Sequence, residues 1–161
     1  MTIKLAARVQ AVKPSATLAV DARAKALKAA GKDVVGLGAG EPDFDTPDHI
    51  KEAAVVAIRQ GFTKYTAVDG MPSLKAAVVA KFKRENALDY APEQVLVSCG
   101  GKQSFFNLAL AVIDPGDEVV IPAPYWVSYP DIVLLAGGAP VLVHAPAEQH
   151  FKISPAQLRR R

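Results

Sequence analysis

Residues 95–106 read VLVSCGGKQSFF, an apolar run followed by a glycine pair and the beginning of a second apolar segment. This order predicts a buried strand, a tight turn and the first turn of a helix. The first N–H groups of a helix have no partner inside it and carry a partial positive charge, and glycine lets an anion approach them closely. We therefore expect a phosphate-bearing small molecule at the backbone amides of Gly101 and Lys102, with Ser104 in the first turn. An ordinary strand-to-helix turn that binds nothing has the same sequence pattern, and this alternative interpretation remains open.

Predicted strands alternate with predicted helices on both sides of this stretch. Short apolar runs at 34–37, 118–121 and 140–143 predict further strands. Helices are expected to begin after the caps Ser15 and Thr46, at Pro72, and in the segment 125–129. The alternation predicts an α/β fold with a mostly parallel sheet flanked by helices.

The helix expected after Pro72 has two distinct faces. One is apolar (Leu74, Val78 and Phe82), and the other is basic (Lys75, Lys83 and Arg84).

The composition excludes several classes of protein. Half of the 161 residues are hydrophobic, which suits one modest domain or a piece of a larger protein. The net charge is +3, and without the terminal arginines 159–161 it is neutral, so we expect no nucleic-acid partner. One cysteine excludes an internal disulfide and suits a reducing compartment. With neither a signal-like segment nor a long apolar run, we expect a soluble, cytoplasmic protein that does not enter a membrane.

The carboxyl end of the sequence begins a helix and stops. Ser154 and Pro155 form a favourable start, a cap followed by proline in the first position. The following residues continue for about two turns without a stop signal. A sheet whose last helix is cut short leaves apolar faces and a strand edge uncovered. We expect this chain to be the amino-terminal part of a longer protein.

Aromatic residues near the predicted strand ends are candidates for contact with a flat ligand. Trp126 follows a strand and a proline break, and ligands of α/β sheets bind at the carboxyl ends of strands. Stacking on a heterocycle and packing in the core are both open for this side chain, and equally for Tyr125 and Tyr129. Tyr65 lies in a polar loop, where its hydroxyl either binds an anion or only covers the surface.

A second glycine cluster, at residues 36–40, lacks the spacing of a dinucleotide fingerprint, and Pro42 follows where a helix would have to open. A loop whose N–H groups face a ligand is the better interpretation. The nearby carboxylates of Glu41, Asp43 and Asp45 lie among prolines, which favours a structural loop over paired catalytic acids.

The sequence gives little support for a catalytic nucleophile or for a metal site. Cys99 has no base or orienting partner at a suitable spacing, and His49, His144 and His150 do not form a metal-binding pattern. We expect Cys99 to be a small buried apolar side chain.

Together these segments resemble the amino-terminal portion of class I aminotransferases of the aspartate aminotransferase type, which are fold-type I pyridoxal-phosphate enzymes. The motifs are jointly specific and cover essentially the whole chain. The matching runs are VKPSAT at 12–17, GEPDFDTP at 40–47, KYT at 64–66, GMPSL at 70–74, GGKQ at 100–103, DPGDEV at 114–119 and PYWVSY at 124–129.

The resemblance implies pyridoxal 5'-phosphate as cofactor and a role for five residues. Gly101 and Lys102 would place backbone amides on its phosphate, and Trp126 would stack on its pyridine ring. Tyr65 would reach the phosphate held by the neighbouring subunit of a homodimer. Gly40 would donate its N–H to the substrate carboxylate.

The resemblance also implies a division of the chain. Residues 1–13 would form an amino-terminal arm, 14–45 a small-domain segment and interdomain loop, and 46–161 the truncated first part of the large cofactor-binding domain, a partial fold-type I sheet flanked by helices.

Family enzymes are more than twice this length, and their Schiff-base lysine lies in a stretch with no counterpart here. The implied reaction moves an amino group from an L-amino acid, aspartate by default, to a 2-oxo acid. We expect the chain alone to be inactive, with no catalytic residue of its own. A non-catalytic phosphate-binding or subunit-interaction fragment, and a lyase or synthase of the same fold, are the alternatives.

Overall fold

A computed structural model of the chain describes residues 3–38 and 40–159. Contacts divide these residues into two compact units. The sheet unit comprises residues 3–38 and 105–159, and the turn unit comprises residues 40–104. The division into arm, small domain and large domain stays a prediction.

The described residues combine helices with a parallel sheet, so the expected α/β class is confirmed. In chain order the elements are α1 (Ala7–Gln10), α2 (Ala16–Ala29), α3 (Asp48–Arg59), α4 (Pro72–Asn86), α5 (Gly101–Val112), β1 (Glu118–Ala123), α6 (Ser128–Ala136), β2 (Ala139–His144) and α7 (Pro155–Leu158). Short 3-10 turns lie at Pro92–Gln94 and Ala147–Gln149.

The sheet unit is built around β1, α6 and β2. The two strands pair in parallel, from Glu118 opposite Ala139 to Ala123 opposite His144, and α6 makes the crossover between them. The buried core combines side chains from all three elements: Ile121, Ile132, Val133 and Val143, with Ala109 and Ala145. A Cβ on Gly138 would lie 2.7 Å from Cγ2 of Ile113. Only glycine therefore lets the chain enter β2 this close to the core.

Each strand carries a proline on its outer side. Ala139 N–H donates to the Asp117 carbonyl, and Ala145 N–H donates to the Ala123 carbonyl. In this register the odd-numbered residues form the ladder, so the nitrogens of Pro122 and Pro140 point away from the partner strand. Pro122 was expected to break β1. It lies inside the strand because no ladder hydrogen bond is lost there.

The turn unit packs α4 against the segment that follows it. Pro72 occupies the first turn of α4 as predicted, and the left-handed Ala87 ends the helix. The rings of Phe82 and Tyr90 lie 5.8 Å apart between centroids. The predicted apolar face of α4 is confirmed, because Leu74, Val78 and Phe82 line one groove.

Two predicted strands are absent from the described residues. Residues 34–37 and 95–97 form no ladder, and Val35 and Leu37 are 80% and 91% exposed. A strand needs a ladder of hydrogen bonds to a neighbour, and the part of the chain that the structure describes gives segment 95–97 only the single bond from the Val97 N–H to the Asp69 carbonyl. An apolar run cannot indicate whether that neighbour exists.

Two helix starts differ from prediction. The cap of α3 is Pro47 rather than Thr46, and no side chain caps this helix. Proline fits there because its backbone is extended. α6 begins at Ser128 rather than at Tyr125. By contrast, Ser15 caps α2 through the Leu18 N–H, and Ser154 forms a capping box with Gln157 in α7.

Candidate functional site

The glycine turn before α5 is held in one conformation by hydrogen bonds. Gly100 has a φ of +88°, in the left-handed region that favours glycine. Its N–H donates to the Ser98 carbonyl at 2.8 Å, and its own carbonyl accepts from the Gln103 and Ser104 N–H groups. The side-chain oxygen of Gln103 accepts from the Cys99 N–H. This role of Gln103 was not predicted, although its position three residues after Gly100 fits a reciprocal cap.

Gly101 leaves the mouth of α5 open. A Cβ at this position would meet no atom within 4 Å. Among the described residues, no backbone carbonyl accepts the Gly101 N–H. Lys102 and Ser104 follow in the first turn, and both are exposed. An accessible first turn in a helix of twelve residues can hold an anion through its backbone amides.

Ser98 adds a feature that the sequence analysis missed. Its Oγ is buried and has no hydrogen-bond partner among the described residues. A buried hydroxyl without a partner costs about 1–3 kcal/mol, so this group calls for a structural explanation. The signal available in sequence was a polar residue at the end of an apolar run, directly before the glycine pair.

Tyr65 lies in the loop between α3 and α4 and is fully exposed. A cavity of about 350 Å³ is formed within this loop region by Gly61, Phe62, residues 64–67 and residues 71–73. Gly40, Gly101 and Lys102 belong to the same unit but do not line this cavity. Within the turn unit, the cavity at Tyr65 and the glycine turn are therefore two separate features.

Asp69 anchors the end of the Tyr65 loop. Its carbonyl accepts the Val97 N–H at 3.0 Å, and its carboxylate forms an ion pair with Lys75 of α4. Lys75 was expected on the basic outer face, but it is 7% exposed. The helical spacing was right, and the expectation failed because the loop folds over this face. Gly70 lets the end of this loop pass close to Val97, since a Cβ at this position would lie 2.7 Å from the Cβ of Val97.

We expect substitutions of the two members of this ion pair to destabilise the fold by unequal amounts. Asp69→Asn leaves the Lys75 ammonium buried without a counter-charge, whereas Lys75→Met replaces the long side chain with an apolar one. We expect the asparagine variant to unfold at a clearly lower urea concentration than the methionine variant. Urea titrations followed by circular dichroism measure this, and equal or reversed midpoints would contradict it.

The same pair predicts acid sensitivity. The hydrogen bond from Lys75 holds the pKa of the Asp69 carboxyl below its ordinary value of 3.8. A lowered carboxyl pKa contributes stability that is present above about pH 4 and is lost as the pH falls through the folded-state value. Urea midpoints of the unmodified chain should fall between pH 5 and 3 more steeply than those of Asp69→Asn. Parallel pH profiles would count against the pair as the cause.

Gly40 is exposed, and a Cβ on it would meet nothing within 4 Å. In the acidic loop that follows, Asp45 has structural partners. It accepts from Lys51 and from the Thr46 N–H, and these two bonds lower the pKa of its carboxyl.

Trp126 lies in the sheet unit, two residues after the cis peptide bond between Ala123 and Pro124. Its ring meets Tyr129 edge-on at 5.5 Å between centroids, and Tyr129 contacts Phe105 in the same manner at 5.0 Å. Trp126 is 43% exposed. The tyrosine therefore orients the indole while much of the indole stays accessible, an arrangement that is compatible with stacking.

Other candidate chemistry receives no support. Cys99 is exposed rather than buried, because the turn that it begins lies at the surface. Within residues 3–38 and 40–159, no group of three metal-binding side chains comes together. None of the described helices is both long enough and apolar enough to span a bilayer.

Comparison with known proteins gives consistent matches. The sequence model of the family described as aminotransferase class I and II matches residues 32–161. The aspartate/prephenate aminotransferase of Nitrosomonas europaea is 68% identical over 158 residues, which are 98% of this chain and 40% of the relative. The aspartate aminotransferase of Geobacillus stearothermophilus is 55% identical over 157 residues, again 98% of this chain and 40% of the relative.

Solved structures agree with the sequence matches. The aspartate aminotransferase of Thermus thermophilus with maleate has a TM-score of 0.93 and 53% identity, covering 99% of this chain and 42% of that one. The aspartate aminotransferase of Thermotoga maritima has a TM-score of 0.90 and 38% identity, covering 97% and 42%. This chain therefore spans about two fifths of the length of these relatives.

Proposed function

The chain belongs to the class I and II aminotransferases, and on that premise we propose that it forms the phosphate-anchoring and ring-stacking part of an aminotransferase site for pyridoxal 5'-phosphate. The whole protein would transfer the amino group of an L-amino acid to a 2-oxo acid. Aspartate is the preferred amino donor, in line with the names of the relatives. Prephenate in the name of one relative makes it a candidate acceptor.

The observation that carries this proposal is the open glycine turn at α5. The unobstructed Gly101 fits a ligand with several acceptor oxygens, such as a phosphate monoester. The backbone amides of Gly101 and Lys102 would hold that phosphate. The Lys102 side chain lies at the same end and is not assigned as the amine that bonds to the ring aldehyde.

The other candidate residues have defined tasks in this proposal. Trp126 stacks on the pyridine ring and keeps water from one of its faces. The Gly40 N–H binds the α-carboxylate of the substrate. When bound, the cofactor supplies an electron sink for the bonds at the substrate α-carbon.

The exposure of Tyr65 suits a residue whose hydroxyl acts outside its own subunit. We infer that it reaches the phosphate at the neighbouring site of a homodimer. The complete enzyme would then need two copies for each site, and it would be a cytoplasmic protein.

Tryptophan fluorescence tests the phosphate and stacking roles directly, because Trp126 is the only tryptophan in the chain. We expect pyridoxal 5'-phosphate to quench its emission with a Kd at least about tenfold lower than that for pyridoxal. Inorganic phosphate should compete. Pyridoxal has the same ring and aldehyde, so it controls for reaction with surface lysines. Equal quenching by both compounds would contradict the phosphate site.

A turnover assay tests the role of the chain in catalysis. With pyridoxal 5'-phosphate, aspartate and 2-oxoglutarate, the chain alone should form no glutamate, because none of its residues is assigned as the Schiff-base lysine. Sustained glutamate formation would overturn this assignment and would require a lysine of this chain to be catalytic.

A further inference from the structure

Lys75 is a charged side chain at a position where an apolar one would be less costly to bury. It is 7% exposed, whereas the side chain of its partner Asp69 is 52% exposed. The attraction within a buried ion pair often does not offset the lost hydration, and an apolar side chain of similar length avoids that loss. What the pair adds is geometry, because it favours the loop conformation in which the Asp69 carboxylate reaches Lys75.

The end of the Tyr65 loop is fixed to its surroundings by backbone contacts as well as by this ion pair. The Asp69 carbonyl accepts the Val97 N–H, and the Gly70 N–H donates to the carbonyl at position 67 at 3.1 Å. A Cβ on Gly70 would lie 3.8 Å from Cγ of Lys75, so the stem of the lysine passes alongside the glycine. The ion pair therefore holds a turn that is already bonded on both sides.

This anchored turn lies between the two groups to which phosphate contacts are assigned. On one side, Tyr65 precedes Asp69 by four residues. On the other side, Val97 directly precedes Ser98, whose carbonyl accepts the Gly100 N–H of the glycine turn. A displacement of Asp69 would therefore move both the tyrosine loop and the beginning of the glycine turn.

We propose that Lys75 and Asp69 are positioning residues for the cofactor phosphate. Their ion pair fixes the glycine turn that binds phosphate in this subunit, together with the Tyr65 hydroxyl that is presented to the neighbouring one. The inference rests on the proposed function, from which it takes phosphate as the ligand. Both side chains act through position rather than through their own charge, so removal of either charge weakens phosphate binding.

Titration of the full chain tests this role through the phosphate preference, the ratio of the Kd for pyridoxal to the Kd for pyridoxal 5'-phosphate, read from Trp126 emission. Asp69→Asn and Lys75→Met should each lower this preference at least about fivefold, although they change the net charge in opposite directions. Lys75→Arg keeps the ion pair and should retain the preference within about twofold.

A second ion pair on α4 provides the matched control. Lys83 and Asp89 are the same residue types, again six positions apart, but their side chains are 71% and 82% exposed. Surface pairs of this kind contribute little to stability or geometry. Lys83→Met and Asp89→Asn should therefore leave the phosphate preference within about twofold of the unmodified chain.

Trypsin digestion follows the loop itself, because the exposed Lys64 directly precedes Tyr65. Asp69→Asn and Lys75→Met should accelerate cleavage after Lys64 at least about threefold, since proteolysis reports the population of open conformations. The control variants should be cleaved there at the unmodified rate. An unchanged rate in the Asp69 and Lys75 variants would contradict the anchoring of Tyr65.

The outcomes separate positioning from charge and from unfolding. A higher preference in Asp69→Asn with a lower one in Lys75→Met would overturn the proposal in favour of long-range attraction. Equal weakening of both ligands, with circular dichroism showing partial unfolding, or equal losses in Lys75→Arg and Lys75→Met, would also overturn it. Variants that keep the preference refute only the positioning role, whereas an unmodified chain without any preference refutes the proposed phosphate site and this inference with it.

Discussion

Gly70→Ala is expected to lower the free energy of unfolding by about 3 kcal/mol or more. The backbone of Gly70 has a φ of +111°, and a Cβ would collide with the side chain of Val97. The added methyl group therefore meets both backbone strain and a clash with a neighbour that carries one end of the Asp69 anchor. Urea unfolding followed by circular dichroism measures the loss.

Gly61→Ala separates the two causes. Gly61 also has a positive φ, +82°, but a Cβ there would meet nothing within 4 Å. Its variant should lose only about 1–2 kcal/mol, the cost of the left-handed backbone. If both variants lose the same amount, the contact of Gly70 with Val97 contributes nothing, and the account of the anchored loop is wrong.

Gly101→Glu is expected to weaken pyridoxal 5'-phosphate binding about 100-fold, a loss of about 2.7 kcal/mol. The new carboxylate would stand at the helix mouth that the proposal assigns to the phosphate, and the two negative charges repel each other. The fold should tolerate the change, because an acidic side chain in the first turn of a helix stabilises it by about 0.3–1 kcal/mol. Opposite effects on stability and affinity are the signature of an anion site.

Gly101→Ala is the steric control for this variant. The open space around a Cβ at Gly101 predicts binding within about threefold of the unmodified chain. Trp126 emission measures all three affinities in the same titration. Binding of the glutamate variant at full affinity would place the phosphate elsewhere and remove the main support of the proposed function.

Local signals in the sequence predicted the elements that need no distant partner. The capping serines Ser15 and Ser154 are confirmed, as is Pro72 at the start of α4. The predicted strands β1 and β2 are confirmed, because each of the two apolar runs has the other as its hydrogen-bonded neighbour in the described chain. The family was identifiable from motifs distributed over the chain, and the family comparison confirms it.

Two failures depend on contacts that neither an apolar run nor a helical period reveals. Residues 95–97 are apolar enough for a strand, but no segment pairs with their free side among the residues described. Lys75 follows the helical period correctly, and only the folded loop reveals that Asp69 covers it.

The site remains a prediction, and the structure adds geometry to it. The glycine pair indicated an anion-binding turn, and the open geometry at Gly101 is compatible with that interpretation. The buried hydroxyl of Ser98 and the bond from Cys99 to Gln103 depend on side-chain positions that spacing alone does not determine. The roles of Gly40, Tyr65 and Trp126 remain predictions.

The prolines on the outer sides of β1 and β2 bear on how this chain behaves at high concentration. Uncovered strands recruit further strands and grow into fibrils, and each new layer depends on an uninterrupted series of donors. Pro122 and Pro140 remove one donor from each outer side, so stacking copies of the sheet would lose a bond at every layer. Without them, the outer side of each short valine-rich strand would present an uninterrupted series of donors to a further strand.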